Sequence, residues 1–297
     1  MRSRLTVTDY NLDWALKEHN LHDRPFPGTL TREEVISYCG TLGVGGIDLM
    51  HDYWQDCSTK EVVRRTRDAG ILITTLIFGC DLAVPAERRK SSVDQGKGLI
   101  DRAVSLGAKL GMIIPGITKS EYPLNEQLLW MTEGLSLCCE HAGRSGLKLV
   151  SENIDDPPSR QLMGRGDQCV DVCRRVDSPH YGLIYDSAAA LLAGEDPLET
   201  LGQMLPHVVH VHLKNVVPVG KDEQWHRTSS DEEGRSYRGV RLDEGMIDIS
   251  AVLTLLRQRD YEGDFLIEYQ GEDNPCEATR DCVDQAEALL ARAGFGV

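Results

Sequence analysis

The 297-residue chain has no basic tract, no Cys-x-x-Cys pair, no apolar run of membrane-spanning length and no glycine-rich phosphate loop. Each absence removes a class of function. Lys and Arg number 32 against 47 Asp and Glu, so the net charge is 32 − 47 = −15. That balance disfavours nucleic acid as a partner, because phosphate backbones are held by Lys and Arg. The nine cysteines are Cys39, Cys57, Cys80, Cys138, Cys139, Cys169, Cys173, Cys276 and Cys282. An odd number without paired spacing fits a reducing compartment better than a disulfide framework or a thiolate zinc site. With neither an apolar leader core nor a spanning segment, the expectation is a cytoplasmic protein with no membrane partner. No Gly-x-Gly-x-x-Gly turn follows the first strand and no Walker loop occurs, which counts against a doubly wound nucleotide-binding sheet.

What the chain does contain is a repeated alternation of strand and helix. Strands are expected at 4–8, 46–50, 71–78, 109–114, 147–151, 181–185, 207–215 and 264–269. Helices are expected at 13–17, 31–42, 59–69, 91–106, 124–144, 166–176, 197–205, 249–259 and 277–293. Thr31 with Glu34 forms a capping-box pattern, and Gly43, Gly70 and Gly107 close helices. Ile71 to Phe78 is an unbroken apolar and β-branched run, as in a strand buried on both faces. Eight such units without a composition break predict an α/β fold, a single-domain (β/α)8 TIM barrel over residues 1–297. A doubly wound sheet is the alternative. One long polar stretch, about 216–243, interrupts the alternation and is expected to be a lid or binding loop over the site.

The segment from His207 to Asn215 points to chemistry. As a strand it carries Val209, Val211 and Leu213 on one face and Val208, His210, His212 and Lys214 on the other. A barrel tolerates such a polar face when it turns toward the axis and opens on a site at the C-terminal rim. The ends of strands five to eight bring Glu152, Asp186, His212 and Glu268 to that rim. Three converging carboxylates repel unless a cation neutralises them. Three oxygen donors and one imidazole suit one divalent ion: Mn2+ first, then Mg2+, Co2+ or Zn2+. Lys214 shares the parity of His212 and can polarise an oxyanion. Asn153, His51, Trp225, His226 and Arg227 are candidates for binding substrate. Cys80 is a weaker candidate, and His210, one layer deeper, reads as packing.

Glu152-Asn153, Tyr185-Asp186, His210-Val211-His212-Leu213-Lys214-Asn215 and Ile267-Glu268, with the runs 242–248 and 261–264, resemble the xylose-isomerase-like barrel superfamily of sugar phosphate isomerases and epimerases. The resemblance implies that Glu152, Asp186, His212 and Glu268 bind a metal. It also implies, from the ketose 3-epimerase branch, that the two glutamates give and take the proton. Two positions depart from the common pattern: Ala189 stands where many members have His, and Asn215 where many have Asp. The expected activity is isomerisation or epimerisation of a keto sugar or polyol through an enediolate, with Glu152, Glu268 and Lys214 catalytic. A metal-dependent lyase or dehydratase is the alternative chemistry. A non-catalytic sugar-binding barrel is the alternative class, and a homo-oligomer or a hetero-subunit is open.

Overall fold

The computed structural model describes residues 4–17, 28–155 and 157–296. Its strands are β1 Leu5–Thr8, β2 Gly46–Met50, β3 Leu72–Gly79, β4 Leu110–Ile114, β5 Lys148–Glu152, β6 Tyr181–Asp186, β7 Val208–Leu213, β8 Asn215–Pro218, β9 Ser229–Ser230, β10 Ser236–Val240 and β11 Asp264–Ile267. Eight of them close a parallel barrel in the order β1-β11-β7-β6-β5-β4-β3-β2. The helices are α1 Arg32–Gly40, α2 His51–Trp54, α3 Thr59–Asp68, α4 Ala86–Leu106, α5 Leu124–Arg144, α6 Pro157–Met163, α7 Gly166–Val176, α8 Ser187–Leu192, α9 Pro197–Met204, α10 Ile249–Gln258 and α11 Pro275–Arg292. This is the single (β/α)8 barrel that the strand–helix alternation predicts.

Period-two alternation sorts the barrel strands into two faces. Ile77, Met112, Val150 and Ile184 pack as one apolar cluster drawn from β3 to β6. Two residues further along their strands, Val150 leads to Glu152 and Ile184 to Asp186 on the same face. The opposite faces join the helices in the main core, where Leu149, Leu183, Val211 and Phe265 are fully buried. The sequence of each strand therefore fixes both its packing face and the polar group it delivers to the rim.

Three short helices, α2, α6 and α8, escape sequence reading. At four to seven residues they offer too few turns for a 3.6-residue period to show. The helix expected at 13–17 is instead a 3-10 turn over Asp9–Ala15. Thr8 starts it earlier by accepting from the Tyr10 N–H, and Leu16 leaves it in extended conformation to bridge Leu30.

The stretch at 216–243 is not an irregular loop. β10 pairs antiparallel with both β8 and β9, making a three-stranded sheet that leaves the barrel directly after β7. Asn215 ties its two ends together. The side-chain amide donates to Leu242 O (2.8 Å) and Ile247 O (3.0 Å), and its oxygen accepts from the Val216 and Ile247 N–H groups, both at 3.0 Å. An aspartate could not donate to those two carbonyls, which is why an amide stands at this position. Gly245 presses on the same knot: a β-carbon there would lie 2.0 Å from Asn215 Oδ1.

At the end of β1, the fully buried Asp9 clamps the exit of β2. Its carboxylate accepts from the Met50 N–H (3.0 Å) and from Trp54 Nε1 (2.6 Å). Burial pushes the Asp9 carboxyl up from an ordinary 3.8 to about 7, against the lowering effect of those hydrogen bonds. In the unfolded chain the same group ionises near pH 4. Between those values the folded state binds more protons, so this contribution to stability is full at low pH and falls as pH rises toward 7. The span corresponds to on the order of 4 kcal/mol. Asp9→Asn is expected to flatten that fall, so the wild type should lose ground to the variant between pH 5 and pH 8. Urea midpoints at the two pH values check this, and an unchanged difference would refute it.

Candidate metal centre

The rim of β5, β6, β7 and β11 brings Glu152, Asp186, His212 and Glu268 together, each with a ligand atom within 4.8 Å of the others. Glu152 is the last residue of β5 and Asp186 the last of β6, in register with His212 of β7. Glu268 follows β11 by one residue, and its N–H reaches Leu213 O at 3.1 Å. His212 is the hub. Its Nδ1 stands 2.5 Å from Glu152 Oε1 and 3.1 Å from Glu268 Oε2.

Lys214 lies on the other side of Glu268, nine-tenths or more buried. Its Nζ is 2.8 Å from Asp155 Oδ2, 3.2 Å from Glu268 Oε1 and 4.0 Å from Asp186 Oδ2. Gln270 donates a further hydrogen bond to Glu268 Oε1 at 2.6 Å. Asp186 also caps α8, accepting from the Ala189 N–H at 2.7 Å. Asn153 holds the Asp186 backbone from both sides: its amide nitrogen donates to Asp186 O (2.9 Å) and its oxygen accepts from Asp186 N–H (2.8 Å).

These groups titrate away from their ordinary ranges. Burial raises the Asp186 carboxyl far above the carboxylate range, with Glu268, Glu152 and Asp155 adding to the effect against Lys214. Burial also raises Glu152, although His212 opposes it. For Glu268 burial pushes upward, but Lys214 and His212 outweigh it and hold the carboxyl below its usual range. Burial would lower His212 and Lys214; the carboxylates around them win, and both are held well above their usual values.

The donor set fits a divalent cation. Glu152 Oε1 and Glu268 Oε2 crowd a single imidazole nitrogen, Nδ1 of His212, while His212 Nε2 is buried without a hydrogen-bond partner. Three carboxylates share this space with one lysine and one imidazole, so added positive charge is favoured. Three oxygens and one nitrogen match the hard-to-borderline divalent ions.

The other residues singled out in the sequence lie elsewhere. His51 opens α2, half-buried, with Nδ1 lacking a hydrogen-bond partner. Trp225 donates to Glu223 Oε2 at 2.9 Å and is covered by Arg238, 4.3 Å from the ring centre. The exposed His226 pairs with Glu272 at 3.2 Å. Arg227 is buried; it pairs with Asp13 at 3.2 Å and stacks 4.3 Å from the Tyr10 ring centre, pinning the sheet excursion to the Asp9–Ala15 turn. None of these four makes a polar contact with the cluster. Cys80 is a buried thiol whose Sγ donates to Ser92 O. Sequence reading missed Asp155 and Gln270. Gln270 shares the parity of Glu268, which is a usable signal, whereas Asp155 lies in irregular backbone where no period applies.

Residues 36–291 match the family described as xylose isomerase-like TIM barrel. An inosose dehydratase of Geobacillus thermodenitrificans is 25% identical over 260 residues, covering 81% of this chain and 83% of its own. An L-ribulose-5-phosphate 3-epimerase, UlaE, of Shigella flexneri is 22% identical over 294 residues, covering 93% and 95%. Among solved structures, the IolI protein with a bound zinc atom superposes with a TM-score of 0.74 at 15% identity over the full length of both chains. No helix among the described residues is long and apolar enough to cross a membrane.

Proposed function

The chain belongs to the xylose isomerase-like TIM barrel family, and from that premise we propose that it is a divalent-metal-dependent isomerase or epimerase of a keto sugar or keto polyol. The observation that carries this reading is the convergence of Glu152 and Glu268 on one imidazole nitrogen from strands separated by two others. Carboxylates arriving from two sides can serve two faces of one substrate. A divalent ion held by Glu152, Asp186, His212 and Glu268, with Mn2+ proposed ahead of Mg2+, Co2+ and Zn2+, would supply Lewis acidity at the substrate carbonyl.

The protein's own groups handle the proton. One glutamate takes it from the carbon beside the carbonyl, and the other returns one to the opposite face, each contributing roughly 10²–10⁴-fold. Lys214 is already held at the rim by Asp155 and Glu268 and offers an N–H to the oxygen that gains charge. Asn153 positions Asp186 by holding both its backbone groups. His51, Trp225, His226 and Arg227 are proposed to line the approach for a polar sugar substrate.

A second reading, a dehydratase, is favoured by Lys214, whose Nζ is fixed 2.8 Å from Asp155 Oδ2 and can hydrogen-bond a departing hydroxyl. The relatives include both a dehydratase and a 3-epimerase. The two readings separate in D2O. With Mn2+-supplied enzyme and a panel of ketoses and inososes, epimerisation should leave one solvent deuterium at the inverted carbon. A product lighter by one water supports the dehydratase instead. Turnover without hydrogen exchange beside the carbonyl would overturn both.

A further inference from the structure

Below the four-residue cluster, the barrel lumen holds a second polar group. Asp48 of β2 and His210 of β7 are both fully buried. β2 and β7 are not neighbours, since β11 and β1 stand between them, so the pair meets across the lumen. His210 Nε2 lies 3.3 Å from Asp48 Oδ2. His210 shares the inward face of β7 with His212, their rings edge to face with centroids 5.4 Å apart and planes at 90°. Ligand atoms of Asp48, His210 and His212 all lie within 4.8 Å of one another.

This arrangement is costly as packing. The neighbouring strands fill their inward faces with Ile77, Met112, Val150 and Ile184. A carboxylate and an imidazole beside such residues lose hydration that one ion pair does not fully restore, and an apolar pair of similar volume commonly serves stability as well or better. The two oxygens of Asp48 and the two nitrogens of His210 have no aligned hydrogen-bond partner. His212 has the complementary need. Its Nδ1 faces Glu152 and Glu268, while its Nε2 is buried without a partner. An imidazole that ligates a metal through one nitrogen normally passes its other N–H to a fixed acceptor, which sets the tautomer and the ring plane.

We propose that Asp48 and His210 are positioning residues: Asp48 orients His210, and His210 accepts the Nε2–H of His212, so that the Nδ1 lone pair is presented to the rim. The chain runs His212 Nε2–H to a His210 nitrogen, then the remaining His210 N–H to Asp48. The proposal rests on the reading of Glu152, Asp186, His212 and Glu268 as metal ligands.

The test measures Mn2+ affinity by calorimetry and the visible spectrum of the Co2+-loaded protein, for the wild type, Asp48→Asn, His210→Phe and the double variant Asp48→Leu/His210→Phe. Each single substitution is expected to weaken Mn2+ binding about 10–100-fold. The double should be no weaker than the weaker single, because both act through one chain. The Co2+ spectrum should shift while the metal-free thermal midpoint of the double holds or rises, a split that loss of packing alone would not give. Wild-type Mn2+ affinity in both folded single variants would overturn the proposal. So would two Mn2+ per wild-type chain with one lost in Asp48→Asn, since the pair would then be ligands. A wild-type chain that binds no Mn2+ or Co2+ would overturn the metal reading itself, and this inference with it.

Discussion

His212→Ala is expected to lose metal binding and turnover together. His212 is the only nitrogen donor in the cluster and the contact shared by both glutamates. Orienting groups outside the ligand set typically matter 10–100-fold for affinity, so removal of a ligand should cost at least about two orders of magnitude. Activity should fall to background, because the remaining carboxylates repel one another and hold protons in place of an ion. The wild type should retain about one divalent ion per chain after dialysis, as one four-donor set implies. Uptake of that ion should release protons, since Asp186, Glu152 and His212 are all held above their ordinary pKa values; affinity should therefore decline as pH falls. Elemental analysis decides the matter: a full complement of metal in the dialysed variant would remove His212 from the ligand set.

Lys214→Met should be the most destabilising single change at the rim. The ammonium is buried among Asp155, Glu268 and Asp186, and methionine keeps most of the volume while deleting the charge. Breaking a buried ion pair from one side commonly costs about 3–5 kcal/mol, because the partner charge stays behind uncompensated. The metal-free variant should show that loss in urea denaturation. Added Mn2+ should recover much of it, since a cation bound to the folded state replaces the missing charge. A metal-free variant as stable as the wild type would mean that the carboxylates shed their charge by protonation instead, and that Lys214 has a purely chemical role.

Much of the barrel could be read in advance because its signals are local. The apolar and β-branched run from Ile71 to Phe78 declares a strand covered on both sides, which is β3, and the Thr31–Glu34 capping box starts α1 where the sequence places it. The four rim residues were legible by parity, each standing one step beyond an inward apolar or imidazole position. The partners of Asp9 and Asp48 were not legible. Those partners sit on other elements, Trp54 on α2 and His210 on β7, and no periodicity within a segment encodes such a contact. The three-stranded excursion was hidden for a related reason. Its strands are short and polar, and what holds them is the Asn215 knot and the Arg227–Asp13 pair, contacts that span 32 and 214 positions.

The Asn215 knot also bears on how this protein could diversify. Both ends of the excursion are fastened to one side chain, so the span between them can change without moving the barrel strands. Lengthening a loop whose ends are already held together costs only about 0.6 kcal/mol per doubling of its length. Residues 219–235, which carry Trp225, His226 and the tip of the sheet, are therefore the part of the excursion expected to tolerate changes in length, apart from the anchored Arg227. Exchange of that segment between homologues should transplant substrate preference while leaving the metal ligands, and the chemistry they support, in place. Asn215, Gly245 and the buried Arg227, which pairs with Asp13, are the positions such a graft would have to preserve.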